Sequence, residues 1–461
     1  MGEDKKTKKI FTVMTITVVV LFVVLIVLAA MTINLISKRS RGTVSEKFDL
    51  DRLTSDKTNL DIDMAKYLTP EFIGIVTNGE KSGISVTHNT VNGLYRLICP
   101  VISSVMKEEN ITESGSDIWN RYDELGDFIY IRYHSDLPDN VIGLAADACT
   151  GAKNDRNLSY AGVYEMMIIP YGTENKSIAV AVRDIMNNTL LYEKKDDSET
   201  IIEDDIAELA RSYRMFLYSF DFAGDRFRAE SPTEPVFTEA LSVRRIIMSN
   251  QTTSLVYSSE EEKKSLLRIF ALNPDKVQMS VNEKGEENYI DVQGVLYFND
   301  SSFEYIATAG GGIDISNIIG YTNNPGLKEY ILSAAKIYED IYSLNRFYAG
   351  GDAEIYLSSV QSQNGEVTLV FDYKFDNIKI TDAESAFCIT FSGEYIKYAK
   401  LYTMSVRNLG YRSATSGEWW LFDELKKRNI VPNNVSLVYR SDFFSPSIEP
   451  EWAASVIKSV Y

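Results

Sequence analysis

Histidine and cysteine are scarce in this chain. Two histidines, His88 and His134, and three cysteines, Cys99, Cys149 and Cys388, serve 461 residues. There is no H-E-x-x-H and no Cys/His cluster, so the ligand spacing of a zinc site is missing. The cysteine count is odd, the spacings are long and no C-x-x-C occurs, which argues against a disulfide framework. A chain of this size buries a core without covalent staples, and each cysteine sits in apolar company, where it reads as a small core residue. His134 and Cys149 could be paired as base and nucleophile; a surface histidine and a core cysteine is the simpler reading. No G-x-S-x-G is present, and the glycine-rich residues 309–313 lack the Lys-Ser/Thr of a phosphate loop. Carboxylates are so numerous that spacing singles out no glycosidase pair. The expectation is a protein that is not an enzyme, with no catalytic residue, no metal and no cofactor.

Positive charge is also in short supply beyond the first 41 positions. Those positions hold seven Lys/Arg and two Asp/Glu, leaving 40 bases against 63 acids and a net −23 for the remainder. That sign argues against nucleic acid and against a broad contact with anionic lipid or wall polymer.

What the chain does have is one uncharged run. Residues 10–36 are 27 positions without Asp, Glu, Lys, Arg or His, and 18 of them are Val, Ile, Leu or Phe. A bilayer core takes roughly 20 apolar residues as a helix, so the run is long enough to span with some tilt. It is too long for a cleaved signal, whose apolar core is about 7–15 residues. It therefore reads as an uncleaved anchor. Lys5, Lys6, Lys8 and Lys9 precede it and Lys38, Arg39 and Arg41 follow. The charge bias slightly favours a cytoplasmic N-terminus. With a short leading tail, the expected localisation is the cell membrane, single-pass, with the C-terminal part extracytoplasmic. Within the run, Thr12, Thr15, Ala29 and Asn34 form a stripe that could face another helix; threonine also tolerates lipid by bonding back to its own backbone.

Beyond the run the fold class expected is α+β: a multi-domain region of antiparallel sheets packed with helices. Residues 42–62 read as a linker. An N-terminal α/β domain is expected over 63–222, with strands at 72–76, 127–133 and 164–169, a hairpin around Asn187-Asn188 and helices over 92–106 and 198–215. A middle meander-plus-helix domain is expected over 223–346. Its first helix, 258–272, has Ser258 and Glu261 at capping-box spacing, and its last covers 325–344. A C-terminal domain over 347–461 repeats the scheme, with strands at 367–373, 386–391 and 395–398, a helix over 418–428 capped by Thr415, and a strand with Val435, Leu437 and Tyr439 on one face. The recurrence suggests an internal duplication. Tyr439, Pro450 and Trp452 are expected to close the final domain, with Trp452 sealing its sheet–helix core.

Three stretches carry a resemblance. One is Ser116-Asp117-Ile118-Trp119, followed by Tyr122 and then Gly126-Asp127-Phe128-Ile129-Tyr130-Ile131-Arg132-Tyr133. The second is Glu287-Asn288-Tyr289-Ile290-Asp291-Val292-Gln293-Gly294-Val295-Leu296-Tyr297-Phe298. The third is Val435-Ser436-Leu437-Val438-Tyr439 and, after a loop, Ile448-Glu449-Pro450-Glu451-Trp452. In this order, behind a single N-terminal span, they resemble the YycH/YycI group of membrane-anchored accessory proteins of Gram-positive two-component systems. The resemblance implies a non-enzymatic protein that contacts a sensor histidine kinase, largely through transmembrane helices, and a paralogous accessory protein as a further partner. The alternative kept open is an anchored extracytoplasmic module that binds a ligand or wall polymer.

Overall fold

Alternating β-branched and aromatic residues make strand the commonest regular element among the described residues. The structure, a computed structural model, describes residues 63–455 except 85–87, 108–109, 112–117, 120, 151–161, 172–176, 196–202, 215–216, 223–234, 251–258, 284, 300, 321–323, 347–348, 416–417 and 429–433. Thr12, Thr15, Ala29 and Asn34, with the whole apolar run, lie outside the described residues. Among the described residues no helix is long and apolar enough to cross a membrane. Contacts divide the chain into Met1–Asn59 and Leu60–Tyr461, and the described elements lie in the second unit.

The first sheet has eight strands: β1 Phe72–Thr77, β2 Glu80–Ile84, β3 Phe128–Pro138, β4 Gly162–Tyr171, β5 Ser177–Arg183, β6 Thr189–Lys195, β7 Tyr218–Phe222 and β8 Pro235–Phe237. They lie in the order β6-β5-β4-β3-β1-β2-β7-β8, with antiparallel neighbours throughout. Helices α1 His88–Val105, α2 Asp139–Thr150 and α3 Glu203–Tyr213 belong to this half. The α2 helix follows β3 directly and has no counterpart among the helices expected from the sequence pattern. Ile73, Ile75, Ile129 and Ile131 are fully buried on one face of the sheet. On the other face Phe72 meets Phe220 edge-on with centroids 5.2 Å apart. Gly83 makes room for the Phe72 ring, since a Cβ there would stand 2.3 Å from it. β1 and β2 are joined by Asn78-Gly79, both with positive φ, the signature of a two-residue primed turn.

The remaining elements are β9 Ser242–Asn250, α4 Glu260–Ile269, β10 Gln278–Val281, β11 Glu287–Ile290, β12 Gly294–Phe298, β13 Ser302–Ala307, β14 Ile313–Asp314, α5 Ser316–Ile319, α6 Leu327–Leu344, β15 Ala349–Gly351, β16 Glu354–Gln363, β17 Glu366–Phe375, β18 Ile378–Thr381, β19 Phe387–Ser392, β20 Tyr395–Tyr402, β21 Met404–Ala414, α7 Glu418–Lys427, β22 Asn434–Arg440 and β23 Glu451–Ser455. Most strands join one 12-stranded sheet whose main path is β10-β11-β12-β13-β20-β19-β17-β18-β22-β23. Its pairings are antiparallel except β18–β22. The long α6 packs its apolar stripe, Ile331, Ala334, Ile337, Tyr338 and Ile341, into the core, and Tyr330 stacks on Phe391 of β19 at 4.5 Å. At α4 the capping box is Ser259 with Glu262, one residue later than the spacing of Ser258 and Glu261 suggests. Thr415 does not stand free ahead of α7: its Oγ accepts from Leu241 N–H at 3.1 Å.

Strand pairing crosses both of the expected domain boundaries. β13 pairs with β20 across the boundary at 346/347. β9 pairs with β21 in a separate three-stranded sheet with β15. β8, beyond the boundary at 222/223, adds to the first sheet through β7. The two meanders are thus parts of one continuous sheet, because each would otherwise leave an unpaired edge and an uncovered apolar face. The α+β class with mostly antiparallel sheets stands.

The C-terminal residues close more than the last segment. Tyr439 is fully buried and its hydroxyl donates to the Arg244 carbonyl of β9 at 2.5 Å. Pro450 is buried at the entry to β23. Trp452 pairs with Leu437 across β22–β23 and lies 6.3 Å, ring to ring, from Phe237 of β8. The tryptophan therefore ties the end of the second sheet to the end of the first. It is half-buried, so truncation removes about half of what a fully buried Trp contributes. Trp452→Ala is expected to destabilise Leu60–Tyr461 by about 2 kcal/mol, read as a lower denaturation midpoint with unchanged denaturant slope.

Candidate functional site

Buried ionisable residues converge at one place, the junction of the two large sheets. The β17–β18 hairpin turns through Asp376-Asn377, both at positive φ (52° and 62°), and Phe375 pairs with Ile378 across it. Asp and Asn tolerate this left-handed backbone better than other non-glycine residues. The turn delivers the Asn377 side chain, 1% exposed, into the first sheet. Its Nδ2 donates to the Pro70 carbonyl at 2.9 Å and the Glu71 carbonyl at 3.0 Å. Those two acceptors set the orientation of the amide, so Oδ1 faces the other way. There it accepts from Lys374 Nζ at 3.2 Å and lies 3.0 Å from His134 Nε2. The imidazole proton is consequently on Nε2. Among the described residues, the buried Nδ1 has no hydrogen-bond partner.

His134 reaches this position through an irregularity in β3. The β3–β4 register jumps from Arg132↔Glu165 to Leu137↔Val163, so four residues of β3 face a single residue of β4. Such bulges re-aim side chains. Here the bulge turns His134 onto the Tyr356 ring at 4.5 Å and lets Ser135 Oγ donate to the Leu357 carbonyl of β16 at 3.3 Å. The expectation of a surface histidine is overturned: His134 is 5% exposed, and its partner is Asn377, not Cys149. Burial, reinforced by Lys374 and Lys379, holds its pKa well below the usual histidine range. His88 lies at the start of α1, and its side chain is outside the described residues.

Charges extend the junction on both sides. Lys374 is fully buried and sits directly opposite Glu354 in the β16–β17 ladder. Burial lowers its pKa to about 8, against the attraction of Glu354, while burial raises that of Glu354. Glu71, at the mouth of β1, forms ion pairs with Arg132 of β3 at 3.6 Å and Lys379 of β18 at 3.3 Å. Further along the first sheet, Glu165 accepts from Arg183 Nε at 2.7 Å and from Tyr130 at 2.5 Å, and the Arg183 guanidinium lies 4.6 Å from the Trp119 ring centre. Ion pairs sealed from water are costly to form, and removing one partner is costlier still. Their arrangement suits holding two sheets in register, with stability linked to proton binding.

Of the residues expected at a site, Tyr439, Pro450 and Trp452 belong to the separate C-terminal closure, while Thr12, Thr15, Ala29 and Asn34 lie outside the described residues. The junction residues carry no motif that singles them out in the sequence. The Asp376-Asn377 dipeptide between two alternating runs is the available signal, because it marks a primed turn. Nothing local says that the turn's amide bridges to Pro70. No family model, curated protein or solved structure matches this chain.

Two outcomes are expected. Asn377→Ala leaves two carbonyls, a lysine and a histidine without their partner and places alanine at positive φ. It should cost about 3 kcal/mol or more in equilibrium denaturation. His134 binds its proton less readily folded than unfolded, so the unfolded state takes up the extra proton below pH ~6.5 and stability falls as pH drops. His134→Gln removes that titration. Between pH 7 and 5.5 the wild type should lose roughly 1 kcal/mol more than the variant, measured as paired denaturation curves at each pH.

Proposed function

We propose that this chain is a non-enzymatic, membrane-anchored accessory protein that modulates a sensor histidine kinase of a cell-wall two-component system, through contacts in the membrane and outside it. The uncharged 27-residue run ahead of the folded unit supplies the anchor in this reading and carries it. The resemblance of residues 116–133, 287–298 and 435–452 to the YycH/YycI group points to the kinase and to a paralogous accessory protein as partners. The folded unit is extracytoplasmic, and the membrane is crossed once.

A surface suited to protein contact supports the outer half of the reading. β10 is the terminal strand of the 12-stranded sheet, and all four of its residues are exposed. Met279 and Val281 stand 60% and 56% exposed there, and Val292, in the turn between β11 and β12, 86%. An uncovered apolar edge is a template for another extended segment, which would gain main-chain hydrogen bonds and apolar contact together. The acidic balance of the remainder keeps such a body soluble.

Replacing residues 10–36 by an unrelated apolar helix of equal length should change kinase output in cells. Val281→Lys in the native chain should weaken coupling as well while leaving the melting temperature within about 1 °C, as surface substitutions do. Unchanged output with the body still exported would remove the transmembrane contact from the account. Micromolar binding of wall fragments to Leu60–Tyr461 would favour a polymer-binding module instead.

A further inference from the structure

Separate core positions are the sequence expectation for the cysteines. The structure instead brings two of them together. Cys99 sits in the middle of α1 and Cys149 in the last turn of α2, 50 residues later, with sulfur atoms 2.8 Å apart. Cys99 is buried, Cys149 is half-buried, and both are free thiols. A disulfide sulfur pair is about 2.05 Å apart, so closure takes a shift of under about 1 Å. The third cysteine, Cys388 of β19, is half-buried and pairs across the sheet with Val370 and Lys400.

We propose that Cys99 and Cys149 form a redox-responsive dithiol that closes to an intramolecular disulfide, fastening α1 to α2, when exposed to a small-molecule disulfide such as oxidised glutathione. The two thiols have different roles. The Cys149 thiol is held below its usual range by the hydrogen bond from Cys99, against some desolvation, and Arg96 one turn before Cys99 assists. The Cys99 thiol is pushed up by the same hydrogen bond and by burial. Cys149 is also the more exposed of the two, so it is the attacking group. Its thiolate attacks one sulfur of oxidised glutathione, forming a mixed disulfide and releasing one glutathione thiolate. The Cys99 proton passes to that thiolate. The Cys99 sulfur then attacks Cys149, and the second glutathione thiolate leaves and takes up the Cys149 proton from solvent. The protein loses two electrons and two protons, and one glutathione disulfide becomes two glutathione thiols.

The geometry holds wherever the body resides. An extracytoplasmic location, as in the reading above, would make the oxidised form the resident one. The bridge closes a long loop, so it stabilises chiefly by restricting the unfolded chain.

The test uses the full chain in detergent, equilibrated with reduced and oxidised glutathione, trapped with an alkylating reagent and mapped by mass spectrometry. The expected result is a Cys99–Cys149 crosslink, Cys388 alone remaining alkylated, and a melting temperature raised by roughly 3–6 °C and restored by dithiothreitol. Cys99→Ser should stall as a stable glutathione adduct on Cys149, and Cys149→Ser should acquire no adduct at Cys99. Three alkylated thiols in the wild type under oxidised glutathione would overturn the proposal. So would a stable glutathione adduct on wild-type Cys149, because it would show that Cys99 does not resolve it. The wild-type mapping needs no variant, so misfolding of either variant leaves the test intact. Kinase output plays no part in the readout, so this result and the kinase reading can fail separately.

Discussion

Asn377 joins the two large sheets with one amide. Its two donors satisfy the Pro70 and Glu71 carbonyls at the mouth of β1, and its acceptor serves Lys374 and His134. Each of these groups is buried, so each must find a partner inside the protein. A side chain with two donors and one bidentate acceptor, held rigidly by a two-residue turn, meets that demand where a flexible one would lose more entropy. The bulge in β3, the ladder pair Lys374–Glu354 and the ion pairs of Glu71 are all placed around this amide. Without it the Pro70 and Glu71 carbonyls, the Lys374 ammonium and the His134 Nε2 would each lose a buried hydrogen bond.

The second tie combines a ring contact of Trp452 with a hydroxyl hydrogen bond from the buried Tyr439. Trp452 against Phe237 and Tyr439 against β9 connect strands separated by about two hundred positions in sequence. Polar and apolar ties serve different purposes. The apolar contacts contribute stability in proportion to area and tolerate small shifts. The amide and its ion pairs admit only one register, because a displaced buried charge is penalised heavily. Tied in both ways, the two sheets are fixed in position and in register at once.

Neither tie involves β10 or the two cysteines of the first half. β10 stays open at the end of the long sheet, while the Cys99–Cys149 pair sits between two helices of the other half. The exposed strand and the thiol pair therefore lie in different halves of the fold.

Periodicity made the individual elements legible. The amphipathic stripe of α6, the meander from β10 to β13, the hairpin at Asn187-Asn188 and the face shared by Val435, Leu437 and Tyr439 all come from patterns local to a few residues, where propensity and side-chain alternation act. The α+β class came from those elements, and the 27-residue uncharged run is a property of sequence alone. Partnership was not legible. Which strand lies beside β13, which helix brings a second thiol to Cys99, and whether His134 is exposed depend on contacts tens to hundreds of residues apart. The local company of His134 suggests the surface and that of Cys149 the core, yet His134 is buried and Cys149 half-buried beside a second thiol. Only the bulge in β3 and the docking of α2 against α1 decide between them, because burial is set by what packs on a residue from elsewhere in the chain, and no short window of sequence contains that neighbour.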